Sequence, residues 1–113
     1  MDKVVSKLVA LGVPGLVLLV AIALSGVAGG AAIVAALAFL GGPFGMLGGI
    51  AMLGLLTLVS DSIAKYGLDQ IFRNVVDGLE EKGTSRRQIR KKIDSYPISK
   101  GLKRTLHEHL DQL

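Results

Sequence analysis

The feature that most constrains this chain is a stretch of 53 residues, from Leu8 to Ser60, that contains no Asp, Glu, Lys, Arg or His. About 20 apolar residues are enough to cross the hydrocarbon of a bilayer. A chain of 113 residues has little fully shielded interior in which so long a run could be buried. The stretch therefore predicts an all-α integral membrane protein.

The uncharged stretch is too long for one membrane span and suits two. Pro14 is tolerated in the first turn of a helix, which predicts a first span over about residues 15–40. The sequence "GGPFG" predicts a reversal, followed by a second span over about residues 44–60. A further break at Gly29 and Gly30, which would give three elements, remains an alternative. The turn residues are Gly41, Gly42 and Pro43.

Small residues recur along both predicted spans at helical spacing. Lipid provides no hydrophobic force between helices, so close backbone contact at small side chains drives their association. We expect these residues to pack the two spans together and to drive homo-oligomerisation; packing within one hairpin alone is the alternative. They are Gly26, Gly30, Ala32, Ala36, Gly45, Gly48 and Gly49.

The flanking charges predict how such a hairpin is oriented. Lys3 and Lys7 precede the first span, a basic cluster follows the second, and the turn between them carries no charge. Because cytoplasmic flanks are enriched in Lys and Arg, both termini are expected in the cytoplasm and the protein in an inner or plasma membrane. Cleavage of the N-terminal segment as a secretory signal is disfavoured, because its apolar core is long and the chain stays apolar beyond it.

An amphipathic helix is predicted over residues 61–82, where apolar residues recur every three or four positions. The helical pattern runs on from the second span, so we expect one long helix to about Glu81. Its charged face alternates in sign, which is typical of a solvated surface. Its apolar stripe needs a partner: a second copy, the C-terminal hairpin or the lipid headgroup region.

Residues 83–113 are predicted to form a basic cytoplasmic helical hairpin. Gly83 is expected to end the amphipathic helix. Ser85 and Gln88 form a capping-box pattern at the start of the next helix, and Pro97 ends that helix. Ser99 is a second N-cap, followed by a stripe of leucines at helical spacing.

The strongest charge feature is a basic cluster in which eight Lys and Arg side chains face one acid, Asp94, within residues 86–104. A polybasic segment beside a bilayer attracts anionic lipid, and basic helices also bind nucleic acid. Nucleic acid is disfavoured because the segment contains no known nucleic-acid-binding motif. A role in topology and solubility alone, or in binding a cytoplasmic protein, is also open. The cluster comprises Arg86, Arg87, Arg90, Lys91, Lys92, Lys100, Lys103 and Arg104.

No pattern in the sequence carries enzyme chemistry. Cysteine is absent, and "LHEHL" places His107 and His109 on diverging sides of a helix. It does not match the H-E-x-x-H zinc pattern, and a pair such as His107 and Asp111 falls short of the three or four ligands of a metal site. We therefore expect no catalytic activity, no metal and no cofactor.

In general layout, the first 60 or so residues resemble phage holins and hydrophobic-hairpin toxins. That resemblance implies a small self-assembling protein that forms a pore or permeabilises the bilayer, with the basic tail as its regulator or anchor. The alternative is a non-conducting anchor, accessory or scaffold subunit. In that case the charged C-terminal half would recruit a cytoplasmic partner or anionic lipid.

Overall fold

The computed structural model describes residues 2–28 and 50–113, and this part of the chain forms six helices and no strand. The predicted helical class is confirmed for these residues, whereas the arrangement of the helices differs from the prediction. In chain order the helices are α1 (Asp2–Leu11), α2 (Val13–Ala28), α3 (Ile50–Tyr66), α4 (Leu68–Glu81), α5 (Arg86–Ser95) and α6 (Lys100–Asp111).

The centre of the fold is α2. Every residue from Leu16 to Ala21 is shielded from solvent, and Val13 and Ile22 are at most 5% exposed. All five other helices of the described chain contact α2. A helix that is apolar on every side must be covered on every side, and here helices of the same chain provide that cover.

Four of the surrounding helices are amphipathic and turn one apolar stripe inward. In α4 the stripe packs on α1 and α2, while Asp69, Arg73 and Asp77 point outward and are exposed. The predicted stripe of α4 is therefore confirmed, with α1 and α2 as its partners. The inward residues are Val4, Leu8 and Val9 of α1, Ile71, Phe72, Val75, Val76 and Leu79 of α4, Ile89 and Ile93 of α5, and Leu102, Leu106 and Leu110 of α6.

Two glycines let α1 pack at unusually short range. A Cβ atom on Gly15 of α2 would lie 2.2 Å from the carbonyl oxygen of Leu8. A Cβ atom on Gly78 of α4 would lie 2.7 Å from Cγ2 of Val9. The first glycine allows two helix backbones to touch, and the second makes room for a side chain. Sequence reasoning assigned close helix contacts to other glycines and missed both of these.

The predicted single helix from the second span to Glu81 is wrong, because α3 and α4 are separate helices. Gly67 lies between them with φ of 87° and ψ of 150°, a backbone conformation that is essentially restricted to glycine. Helical periodicity is present on both sides of this residue, so the pattern of apolar residues concealed the joint.

Within residues 2–28 and 50–113, no helix combines the length and the apolarity needed to cross a membrane. Within the described residues, α2 runs for 16 residues and α3 for 17. The second of them also contains Asp61 and Lys65. The predicted two-span hairpin, the integral inner- or plasma-membrane location and the pore-forming description based on them are therefore wrong.

The physical reason for this correction is the ambiguity of a uniformly apolar helix. Such a helix suits the centre of a protein as well as a bilayer, and its own composition does not distinguish the two. What decides here is the charged half of the chain, which supplies three amphipathic helices whose apolar stripes each need a partner. In the fold, all three apolar stripes pack against α2.

Several predicted features lie outside the described residues. These include the turn at Gly41, Gly42 and Pro43 and most of the predicted helix-packing residues, so homo-oligomerisation through them stays a prediction. Gly26 lies in α2. The packing residues outside the described ranges are Gly30, Ala32, Ala36, Gly45, Gly48 and Gly49.

Candidate functional site: the basic hairpin

Local sequence signals define where α5 begins and ends. The hydroxyl of Ser85 accepts a hydrogen bond from the Gln88 backbone N–H at 3.2 Å, and the Gln88 side-chain oxygen accepts one from the Ser85 N–H at 2.9 Å. The predicted capping box is thus confirmed. Tyr96 leaves the helix with extended backbone, as expected of a residue that precedes a proline, here Pro97.

A second cap starts α6 and closes the hairpin. The hydroxyl of Ser99 accepts a hydrogen bond from the Leu102 backbone N–H at 3.1 Å. The two helices contact each other, and both contact α2. Because Ile89, Ile93 and the leucines of α6 are directed at α2, the opposite faces of α5 and α6 must face outward.

Three of the eight basic side chains are engaged in bonds within the protein. Arg86 pairs with Glu80 across the α4–α5 joint, with 2.9 Å between Nε and Oε1. Lys103 Nζ donates to the backbone oxygen of Asp94 at 2.8 Å. Arg90 pairs with the carboxylate of Asp111 and so links α5 to α6.

The other five basic side chains form an exposed group that we call the outer cations: Arg87, Lys91, Lys92, Lys100 and Arg104. None of them makes an ion pair or hydrogen bond within the described part of the chain. Arg87 and Lys91 lie one turn apart on α5, and Lys100 and Arg104 lie one turn apart on α6. The outer cations therefore form a positively charged surface over two neighbouring helices.

His107 lies between two charged residues of the opposite helix. Its Nδ1 atom is 3.4 Å from Nη1 of Arg90, and its Nε2 atom is 2.7 Å from Oδ1 of Asp94. The imidazole is largely buried, with 25% of its side chain exposed, whereas Asp94 is 65% exposed. Sequence reasoning considered His107 and Asp111 only as a metal-ligand pair and rejected it, and in the structure Asp111 pairs with Arg90.

His109 points to a different helix, as the divergence of the two histidines on α6 predicted. Its Nδ1 atom is 3.1 Å from Oδ1 of Asp69 on α4. Its ring lies against Phe72, with 5.3 Å between the ring centroids and an angle of 38° between their planes. A small pocket of about 80 Å³ opens beside these three residues, lined also by Arg73 and Gln112.

Tyr96, at the joint between α5 and α6, is partly buried against the core. Burial raises the pKa of its phenol above the ordinary value of 10.0, because the charged phenolate loses solvation.

The two histidines do not assemble a metal site with their neighbours. Across residues 2–28 and 50–113, no three His, Cys, Asp or Glu side chains converge closely enough to hold a metal ion. Each imidazole instead bonds to one carboxylate on another helix. Neither bond was visible in the sequence, because Asp94 and Asp69 are 13 and 40 residues away along the chain from their partners.

Comparisons with known proteins add no assignment: no family model, no curated protein and no solved structure matches this chain.

Proposed function

We propose that this protein is a small helical binding module whose C-terminal hairpin docks on an anionic lipid surface. The observation that carries the proposal is the group of outer cations, which are exposed and unpaired within the described residues. Docking of this kind takes place at the headgroups and requires no membrane-spanning helix.

The distribution of charge on the hairpin supports an electrostatic contact. Residues 83–113 hold eight Lys and Arg side chains against three Asp and Glu. Two of those acids, Asp94 and Asp111, already bond to His107 and Arg90. The surface therefore presents unpaired positive charge while much of its negative charge is occupied.

Lipid is favoured over nucleic acid because of the shape and composition of this surface. Two short helices side by side present a broad face, which fits a plane of headgroups better than a groove. Proteins that bind single strands add several exposed aromatic side chains on which bases stack. The hairpin has one such residue, Tyr96, and it is partly buried against the core.

The expected strength follows from the number of charges. Each Lys or Arg close to an anionic bilayer contributes about 1 kcal/mol, so the five outer cations contribute at most about 5 kcal/mol at low ionic strength. That corresponds to a dissociation constant of roughly 0.2 mM. Binding should therefore be weak for one copy and strongly sensitive to salt.

Co-sedimentation of the full chain with vesicles tests the proposal. We expect binding to phosphatidylcholine vesicles that contain about 30% phosphatidylglycerol, and none to phosphatidylcholine alone. Replacing three outer cations, in Arg87→Gln/Lys91→Gln/Arg104→Gln, should weaken binding by up to about 150-fold, because about 3 kcal/mol is lost.

A matched control removes the same charge elsewhere. Lys3, Lys7 and Arg73 are also exposed but belong to α1 and α4, so Lys3→Gln/Lys7→Gln/Arg73→Gln should change binding by less than about threefold. Equal losses in the two triple variants would show that only net charge matters. Binding to neutral vesicles, or to an oligonucleotide more tightly than to anionic lipid, would contradict the proposal.

A further inference from the structure

We propose that His107 makes the docking of the basic hairpin depend on pH, with stronger binding under mildly acidic conditions. This inference rests on the proposed function. It starts from the contact between α5 and α6, where one imidazole is bonded to a cation on one ring nitrogen and to an anion on the other.

The neighbours of His107 determine which tautomer its neutral imidazole adopts. An arginine guanidinium carries only N–H donors, so the Nδ1 atom that faces Arg90 must act as an acceptor. The Nε2 atom then carries the hydrogen and donates it to Asp94, 2.7 Å away. The bonds in this structure thus select the Nε2–H tautomer of an uncharged imidazole.

Protonation of His107 would turn its attractive contact with Arg90 into a repulsive one. A proton on Nδ1 places an N–H donor and a positive charge against the guanidinium of Arg90, 3.4 Å away. On the other side of the ring, the bond to Asp94 becomes an ion pair. The guanidinium of Arg90 still has the carboxylate of Asp111 as a partner, so the helix pair need not separate.

The consequence for the surface is a gain of positive charge. Asp94 is the single acid within residues 86–104, and an imidazolium beside it cancels its charge. The remaining charged residues of α6 that lie one turn from His107 are Lys103, Arg104 and Asp111. The part of α2 in the described chain carries no ionisable side chain. Imidazoles change charge between about pH 5 and pH 8.

His109 differs in its surroundings and serves as the internal comparison. It faces Asp69 and Phe72 of α4, with Arg73 lining the same pocket. A proton taken up there pairs with Asp69, which belongs to α4 and not to the hairpin. The two histidines are thus two residues apart in sequence, yet only His107 contacts both a cation and an acid of the hairpin.

The test compares vesicle binding of the full chain at about pH 7.5 and about pH 5.5, at constant salt. Phosphatidylglycerol is the anionic lipid, because its phosphodiester stays ionised across this range. One added charge should strengthen binding about fivefold at the lower pH. His107→Gln keeps an acceptor and a donor without titrating, so its binding should be equal at both pH values. His109→Gln should retain the increase.

The possible failures are distinguishable. Absence of binding at both pH values overturns the proposed function and its regulation together. Binding of the unaltered chain that is equal at both pH values overturns the role of His107 alone. A pH response that persists in His107→Gln, or that disappears in His109→Gln, also overturns it. Nitrogen NMR of the imidazoles at neutral pH adds a test without lipid: His107 should show the Nε2–H tautomer, and an Nδ1–H tautomer would contradict the arrangement.

Discussion

The two apolar helices of the described chain, α2 and α3, differ in how much of their surface is shielded from solvent. α2 is shielded from solvent along most of its length, from Val13 to Ile22. In α3, Val59 and Ser62 are the buried residues among the side chains described, while Leu56, Leu58 and Ile63 are half-buried. Its other side exposes Gly54, Thr57 and Ser60, among others.

The difference shows that an apolar helix must be shielded from water, but that its composition does not reveal which neighbouring helices shield it. Helices α1, α4, α5 and α6 each carry an apolar stripe with one open side, and all four turn it to α2. α3 contacts α1, α2 and α4. The position of a helix relative to amphipathic neighbours, rather than its own hydropathy, therefore determines its burial.

The sharpest test of this comparison truncates one leucine in each helix. Leu19 of α2 is fully shielded, so Leu19→Ala should lower the free energy of unfolding by about 2–5 kcal/mol through lost burial and a cavity. Leu56 of α3 is half-buried, and Leu56→Ala should lower it by about 1 kcal/mol. Urea unfolding followed by circular dichroism measures both. Equal losses would show that the two helices are equally buried.

A pair of glycines sharpens the same contrast. Gly15→Ala places a Cβ atom against the backbone carbonyl of Leu8, and should lower the free energy of unfolding by about 1–3 kcal/mol. Gly54 of α3 has nothing within 4 Å of such an atom. Gly54→Ala should therefore raise it by about 0.5–1 kcal/mol through helix propensity. A stabilising Gly15→Ala would refute the close contact of α1 with α2.

The contact between α1 and α4 allows a smaller and compensated effect. Gly78→Ala brings a methyl group 2.7 Å from Cγ2 of Val9, and should lower the free energy of unfolding by about 1 kcal/mol. Val9→Ala removes the side chain that this methyl group would contact. The double variant should therefore lose less free energy of unfolding than the two single variants lose together. A double-mutant cycle measures this coupling. Strictly additive losses would show that Gly78 and Val9 are not in contact.

The smallest effect concerns the joint of the hairpin. The pKa of Tyr96 is raised by burial, so the folded protein retains a proton that the unfolded chain releases above about pH 10. The contribution of this group is fully present below that pH, and it is lost as the pH rises through the raised pKa. Tyr96→Phe should therefore lose less stability than the unaltered chain between pH 8 and pH 11. An identical loss would show that Tyr96 is solvated.

Local sequence signals predicted the charged half of this chain well. The capping box of Ser85 and Gln88 is confirmed, as is the apolar stripe of α4. The predicted stop at Gly83 is confirmed too, because α4 ends at Glu81 and Gly83 follows with a φ of 98°. Each depends on residues within a few positions of one another. The eight cations of the hairpin were also identifiable from sequence, but which of them are free was not.

The uncharged half could not be assigned in the same way. A uniformly apolar helix has no face to orient it, so α2 matched a membrane span and a protein centre equally well. The break at Gly12, which separates α1 from α2, and the joint at Gly67 interrupt helices whose periodicity looks continuous. The bonds of His107 and His109 depend on helix packing, which no local pattern encodes.

The central claim, that α2 is enclosed by the other helices, can be tested most directly with single cysteines, because the chain has none. Val17 of α2 is fully shielded, whereas Thr57 of α3 is exposed. Without denaturant, the thiol of Val17→Cys should resist a maleimide reagent and that of Thr57→Cys should react at once. Both thiols should react at similar rates in urea. Rapid labelling at position 17 in the folded protein would contradict the account.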